Sequence, residues 1–151
     1  MTVNTKYFGE IEINPEEVLS FTEGLFGFES ENEFILIRLD DDETIFCLQS
    51  LKESQLAFIV INPFRLFPSY TPVLSNSELQ DLDATTSTDL FYYVIAVIHE
   101  PFQNTTVNLK CPIAVNSEKR KAKQIILENS NYAMRETIVS VEEKEGLSCS
   151  Y

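Results

Sequence analysis

The stretch "FILIRLDDDETIFCL", Phe34 to Leu48, sets two β-rich runs, FILIRL (Phe34–Leu39) and IFCL (Ile45–Leu48), on either side of DDDET. β-Branched and aromatic residues suit a pleated, half-buried surface, and a run of aspartates does not. The segment therefore reads as a hairpin whose loop is longer than a tight two-residue turn. A third run, LAFIVI from Leu56 to Ile61, follows and meets Asn62-Pro63. Proline has no N–H for a ladder bond, so this strand, expected in the core, stops there.

Outward from this block the same grammar repeats. Phe8 to Ile13 alternates apolar and charged residues, with Gly9 marking a bulge or a close backbone approach. Asn14-Pro15-Glu16-Glu17 reads as a capped turn, followed by a short strand, Val18 to Phe21. In "TEGLFGFES" the glycines Gly24 and Gly27 allow a compact loop pinned by Leu25, Phe26 and Phe28. No GxGxxG is present and no helix-forming run follows, which excludes a phosphate cradle. Ser50–Glu53 and Ser75–Glu78 have capping-box spacing, predicting one helical turn before Leu56 and a short helix over Ser75–Asp81. Further strands are expected at Phe91–His99, Thr106–Leu109, Ile113–Val115, in part of Lys121–Leu127, and at Thr137–Val141. The expected fold is all-β: a single-domain, antiparallel, partly closed β-barrel over residues 1–141 with short helical turns. Closure, which protects strand edges, favours a barrel over a sandwich. "EEKEGLSCSY", 142–151, lacks apolar periodicity and reads as a flexible tail.

Composition narrows the function. The longest apolar run, Leu90 to Ile98, is nine residues, against roughly 20 needed to cross a bilayer. The start of the chain lacks a basic region followed by an apolar stretch. Cys47, Cys111 and Cys149 are odd in number and have no CxxC spacing. The chain is thus expected to be cytoplasmic, reduced and away from membranes. His99 is the only histidine, and no serine lies in a GxSxG turn. No catalytic residue, metal site or cofactor is expected. The formal charge is −13. From Met1 to Leu109 there are 18 acids against 4 bases; from Lys110 onward there are 6 acids and 7 bases. Such a field repels phosphate backbones, which argues against direct nucleic-acid binding, and favours basic partners at close range.

Three places remain as protein-binding candidates. Asp40, Asp41 and Asp42 form either a solvated turn or an electrostatic contact with a basic partner. They lack the spaced oxygens and loop glycine of an EF-hand. The basic cluster Lys119, Arg120, Lys121 and Lys123 reads as a hairpin turn or a contact for an acidic surface. The segment after Ile61 is the third. Asn62 can cap the turn, and Phe64, Phe67 and Tyr70 can share one side of an irregular or 3₁₀-like segment. Pro68 opposes a regular helix. These aromatics either roof an open barrel end or leave at least one ring as an anchor, with Arg65 beside it.

Several segments resemble the flagellar assembly factor FliW family: TKYFGEIEI (Thr5–Ile13), FTEGLFGFE (Phe21–Glu29) and FCLQSL (Phe46–Leu51). AFIVINPFRLFPSY (Ala57–Tyr70), TVNLKCPIAVN (Thr106–Asn116) and KAKQIIL (Lys121–Leu127) do so too. The ordered set spans about Val3 to Met134. The resemblance implies a small cytoplasmic barrel-like protein without enzymatic activity. It would bind flagellin and CsrA, a small dimeric RNA-binding regulator, and relieve CsrA's repression of flagellin translation. It also implies docking away from the regulator's RNA-binding surface, and release of the factor as flagellin is secreted. This chain departs from the family's "FPEGLPGF" at Thr22 and Phe26. The second change leaves Phe26 available for contact.

Overall fold

The computed structural model describes residues 1–139. The expected tail, 142–151, and the end of the strand expected at Thr137–Val141 lie outside them. Strand β1 (Thr2–Asn4), which alternation alone does not reveal, pairs antiparallel with β2 (Glu10–Glu12). Gly9 is not a bulge: at φ +64° it closes the turn between these strands. The strand begins at Glu10 rather than Phe8 because Thr5 ties up the turn. Its hydroxyl donates to the Gly9 carbonyl at 2.7 Å and accepts from the Phe8 N–H at 2.9 Å.

The main strands are β3 (Leu19–Phe21), β4 (Glu33–Arg38), β5 (Ile45–Ser50) and β6 (Ala57–Ile61). Helices α1 (Pro63–Leu66) and α2 (Asn76–Asp81) follow. Then come β7 (Phe91–Val97), β8 (Thr106–Val107), β9 (Ile113–Asn116), β10 (Lys121–Gln124) and β11 (Glu136–Thr137). Strands β3, β4, β5, β6, β7, β9 and β10 close into a seven-stranded ring, with β8 and β11 continuing from β7. All ring pairings are antiparallel except β3–β10, where Lys121 opposes Ser20 and Ala122 opposes Phe21 in parallel. Strand directions that alternate around an odd ring must repeat once, so closure forces one parallel seam. The barrel is therefore fully closed, and its antiparallel pattern has this one interruption.

Period-2 alternation sends Leu19, Phe21, Phe34, Leu48, Val60, Ile113 and Val115 into the lumen, joined by Leu25 from the loop after β3. The opposite face is not left to solvent. Ile61, Tyr92, Val94 and Ala114 belong to a second core on the outer wall, shared with Leu74, Leu82, Val107, Ile125 and Leu127. A third packs Ile35 of β4 against Val3 and Ile13 around the β1–β2 hairpin. Double coverage explains why LAFIVI reads as a continuous apolar run: Phe58 and Val60 point inward, Ile59 and Ile61 outward. Only Val60 and Ile61 of that run are fully buried; Leu56 to Ile59 are half-buried.

Gln49 is wholly buried and satisfied. Its amide nitrogen donates to the carbonyls of Ser50 (3.0 Å) and Ser54 (3.1 Å), and its oxygen accepts from the Lys6 N–H at 2.9 Å. It fastens the N-terminal turn to β5. Ser50 accepts from the Glu53 N–H at 3.1 Å, as its spacing suggests, but the chain turns into β6 without forming a helix. At α2 both halves of the capping box are made: Ser75 accepts from the Glu78 N–H (3.2 Å), and Glu78 accepts from the Ser75 N–H (2.8 Å).

Candidate functional site

The acidic hairpin tip has a structural half and an exposed half. Asp40 Oδ1 accepts from the N–H groups of Thr44 (3.0 Å) and Ile45 (3.2 Å), which folds the loop back onto β5. Glu43 takes a left-handed backbone, φ +56°, and pairs with Arg38 at 3.1 Å. Asp41 and Asp42 face solvent. The Asn62 N–H donates to the Thr44 carbonyl at 2.8 Å, so the tip sits beside α1. Tertiary structure thus joins two of the candidate regions.

The segment after Ile61 is a one-turn α-helix rather than a 3₁₀-like stretch. Asn62 accepts from the Phe64 N–H at 3.1 Å, Pro63 occupies the first turn, and the Phe67 N–H closes it onto the Pro63 carbonyl at 2.8 Å. Phe67, with φ −132°, leaves the helix just before Pro68. The aromatics divide their roles. Phe67 packs half-buried on the outer core, and Tyr70 is only 4% exposed, with its hydroxyl donating to the Leu109 carbonyl at 2.7 Å. They roof the outer barrel wall, not an open end, because α1 follows β6 directly onto the outer core that Ile61 shares with β7. Tyr70 is therefore a support, not a surface anchor. Phe64 remains 39% exposed, its ring against Tyr70 (5.9 Å between centroids) and edge-on to Tyr92 (6.0 Å). Arg65 is exposed beside it.

Burial pushes the Tyr92 hydroxyl up to about 12, and the hydroxyl donates to the Ser87 carbonyl at 2.6 Å. Tyr70 is raised by burial as well. An unfolded tyrosine loses its proton near pH 10. Between that value and the folded one, the unfolded chain holds fewer protons, so stability falls as pH rises. Urea midpoints should hold up to about pH 9 and decline above about pH 10, with Tyr92→Phe flattening part of the decline. A midpoint level through that range in the parent would contradict the assignment.

The loop after β3 orients a further aromatic. Gly24 (φ +69°) and Gly27 (φ +87°) permit left-handed turns, so Leu25 points into the lumen while Phe26 stays 47% exposed. The Phe26 N–H donates to Oε1 of buried Gln124 at 3.0 Å, and Phe28 packs edge-on against Phe58 at 5.4 Å. Phe26 borders a groove of about 600 Å³ between this loop, Val73–Ser75 and the chain from Lys123 to Tyr132. Val73 is 70% exposed and Ile126 44%. Sequence reasoning missed Val73, Ile126 and Tyr132. The Ile125-Ile126 doublet, which breaks β alternation, was the available signal. Tyr132 packs edge-on against Tyr70 at 4.7 Å, so a line of rings runs from Phe64 to the groove.

The basic cluster lies at the β9–β10 hairpin, with Lys119 and Arg120 in the turn and Lys121 and Lys123 in β10. Lys121 pairs with Asp83 (2.6 Å), and Lys123 with Asp81 (2.7 Å) and Glu23 (3.2 Å), so part of its charge is neutralised internally. His99 is exposed at the rim, its N–H donating to Thr105 Oγ1 at 3.1 Å. Burial raises the thiol pKa of Cys47 and of Cys111, disfavouring thiolate. Among the described residues no helix is long and apolar enough to cross a membrane.

The sequence model of the FliW protein family matches residues 2–138, nearly the whole described barrel. The chain belongs to the FliW family. It is 42% identical over 132 residues to the flagellar assembly factor FliW of Geobacillus kaustophilus, covering 87% of this chain and 91% of that protein. The FliW of Bacillus velezensis is 41% identical over 138 residues, covering 91% and 96%. A crystal structure of the flagellar assembly factor FliW superposes with a TM-score of 0.84 at 37% identity, covering 91% of this chain and 96% of that one. The seven-stranded ring is thus a FliW barrel, and Phe26 and Phe64 are exposed features of this FliW-family surface.

Proposed function

We propose that this FliW-family chain is a cytoplasmic, non-enzymatic flagellar assembly factor that binds flagellin and a dimeric CsrA-type RNA-binding regulator. By holding the regulator it relieves repression of flagellin translation. The observation that carries this reading is the family match over residues 2–138. The surface supports it: an exposed Phe64–Arg65 pair lies beside an acidic hairpin tip, in a chain of net charge −13. Aromatic and arginine side chains dominate binding at many protein interfaces, and negative potential attracts the basic surface that an RNA-binding partner must carry.

The two partners are expected to form mutually exclusive complexes. In a three-component titration, added flagellin should displace the regulator from the purified chain. Coexistence of all three in one complex would contradict this. Electrostatics acts mainly on the encounter, so the association rate with the regulator should fall about tenfold or more between low and high salt. Equal rates at both ionic strengths would remove steering from the mechanism.

A further inference from the structure

The groove beside Phe26 joins two features that point to one kind of occupant. The first is backbone geometry. β10 pairs with β9 through all four residues, Lys121 to Gln124, but with β3 only through Lys121 and Ala122. Beyond Phe21 the chain swings away into the Gly24 loop, so the second half of β10 has no strand beside it on that side among the described residues, and it borders the groove. A half-paired strand edge next to an apolar trough favours an extended segment. The second feature is charge. Phe26, Val73 and Ile126 offer exposed apolar contact, while Glu23, Glu78 and Glu128 stand around them. Among the described residues the only basic side chain lining the groove, Lys123, is already held by Glu23 and Asp81.

We propose that this groove is a docking site for an extended protein segment carrying two or three apolar side chains flanked by lysine or arginine. Its apolar residues lie against Phe26, Val73 and Ile126, and its cations meet Glu78 and Glu128. The volume of about 600 Å³ suits a short stretch of chain. A second copy of this protein is disfavoured as occupant because both partners would carry −13. The assignment is independent of which flagellar protein the chain binds.

The test uses isotope-labelled full-length chain and two end-blocked pentapeptides, each with three central apolar residues, one flanked by lysines and the other by glutamates. The lysine peptide should give saturable amide shifts confined to Phe26, Val73 and Lys123–Glu128, and the glutamate peptide should bind at least about tenfold more weakly. Val73→Ser with Ile126→Ser should abolish the saturable shifts. Both side chains are exposed, so the fold is kept, and an unchanged amide spectrum elsewhere verifies this. Scattered, unsaturable shifts, equal binding of both peptides, or no shift at millimolar peptide would each overturn the proposal. So would groove shifts that depend on protein concentration without peptide, since they would identify self-association.

Discussion

Gly24→Ala should cost about 3–5 kcal/mol of folding stability, through loss of a turn and of the lumen contact behind it. A Cβ built at Gly24 falls 2.6 Å from the Cα and carbonyl oxygen of Glu29 and 2.7 Å from its carbonyl carbon. All three are backbone atoms, so no side-chain rotation relieves the clash. The residue also sits at φ +69°, where any Cβ adds about 1–2 kcal/mol. Relief requires the loop to shift, and the next residue is Leu25, 1% exposed and packed in the lumen. Withdrawing a buried leucine has a cost similar to truncating it, about 2–5 kcal/mol. Gly27→Ala is the internal control. Its φ is +87°, but among the described residues nothing lies within 4 Å of an added Cβ, so it should cost only about 1–2 kcal/mol. Urea unfolding of both variants separates the contributions. Equal losses would mean that dihedral strain, not the approach of Glu29, governs this loop.

Phe64→Ala should reduce capture of at least one protein partner more than about tenfold while moving the thermal midpoint by only a few degrees. The ring is 39% exposed, so truncation removes limited core contact and a large accessible aromatic face. Tyr70→Ala should behave in the opposite way. Removing that buried ring takes away its packing on Phe64 and Tyr132, leaves the Leu109 carbonyl unpaired, and should cost about 3–5 kcal/mol. Phe67→Ala belongs with Tyr70, since its side chain packs on the outer core. Measuring binding and denaturation on the same preparations distinguishes anchor from roof. Undiminished affinity of Phe64→Ala for both flagellin and the regulator would make the whole segment roofing.

The division between what was legible and what was hidden follows the range of the forces involved. The Phe34–Leu48 hairpin, the stop at Asn62-Pro63, the Ser75–Glu78 cap and the left-handed glycines of the Phe26 loop were determined by the sequence itself. Each depends on groups within about five residues, through pleat alternation, a missing N–H or a side chain reaching its own backbone. Tertiary structure decided the rest. The parallel seam exists only because seven strands close into a ring, and ring closure is a property of the whole sheet. Lys121 and Lys123 find Asp83 and Asp81 some forty positions away, and no local pattern announces those pairs. Tyr70 became a support and Phe64 a surface ring because β7 brings Tyr92 beneath Phe64 while Tyr132 and the Leu109 carbonyl enclose Tyr70. The groove, too, is a juxtaposition of three distant segments, built where β3 leaves β10 two residues early.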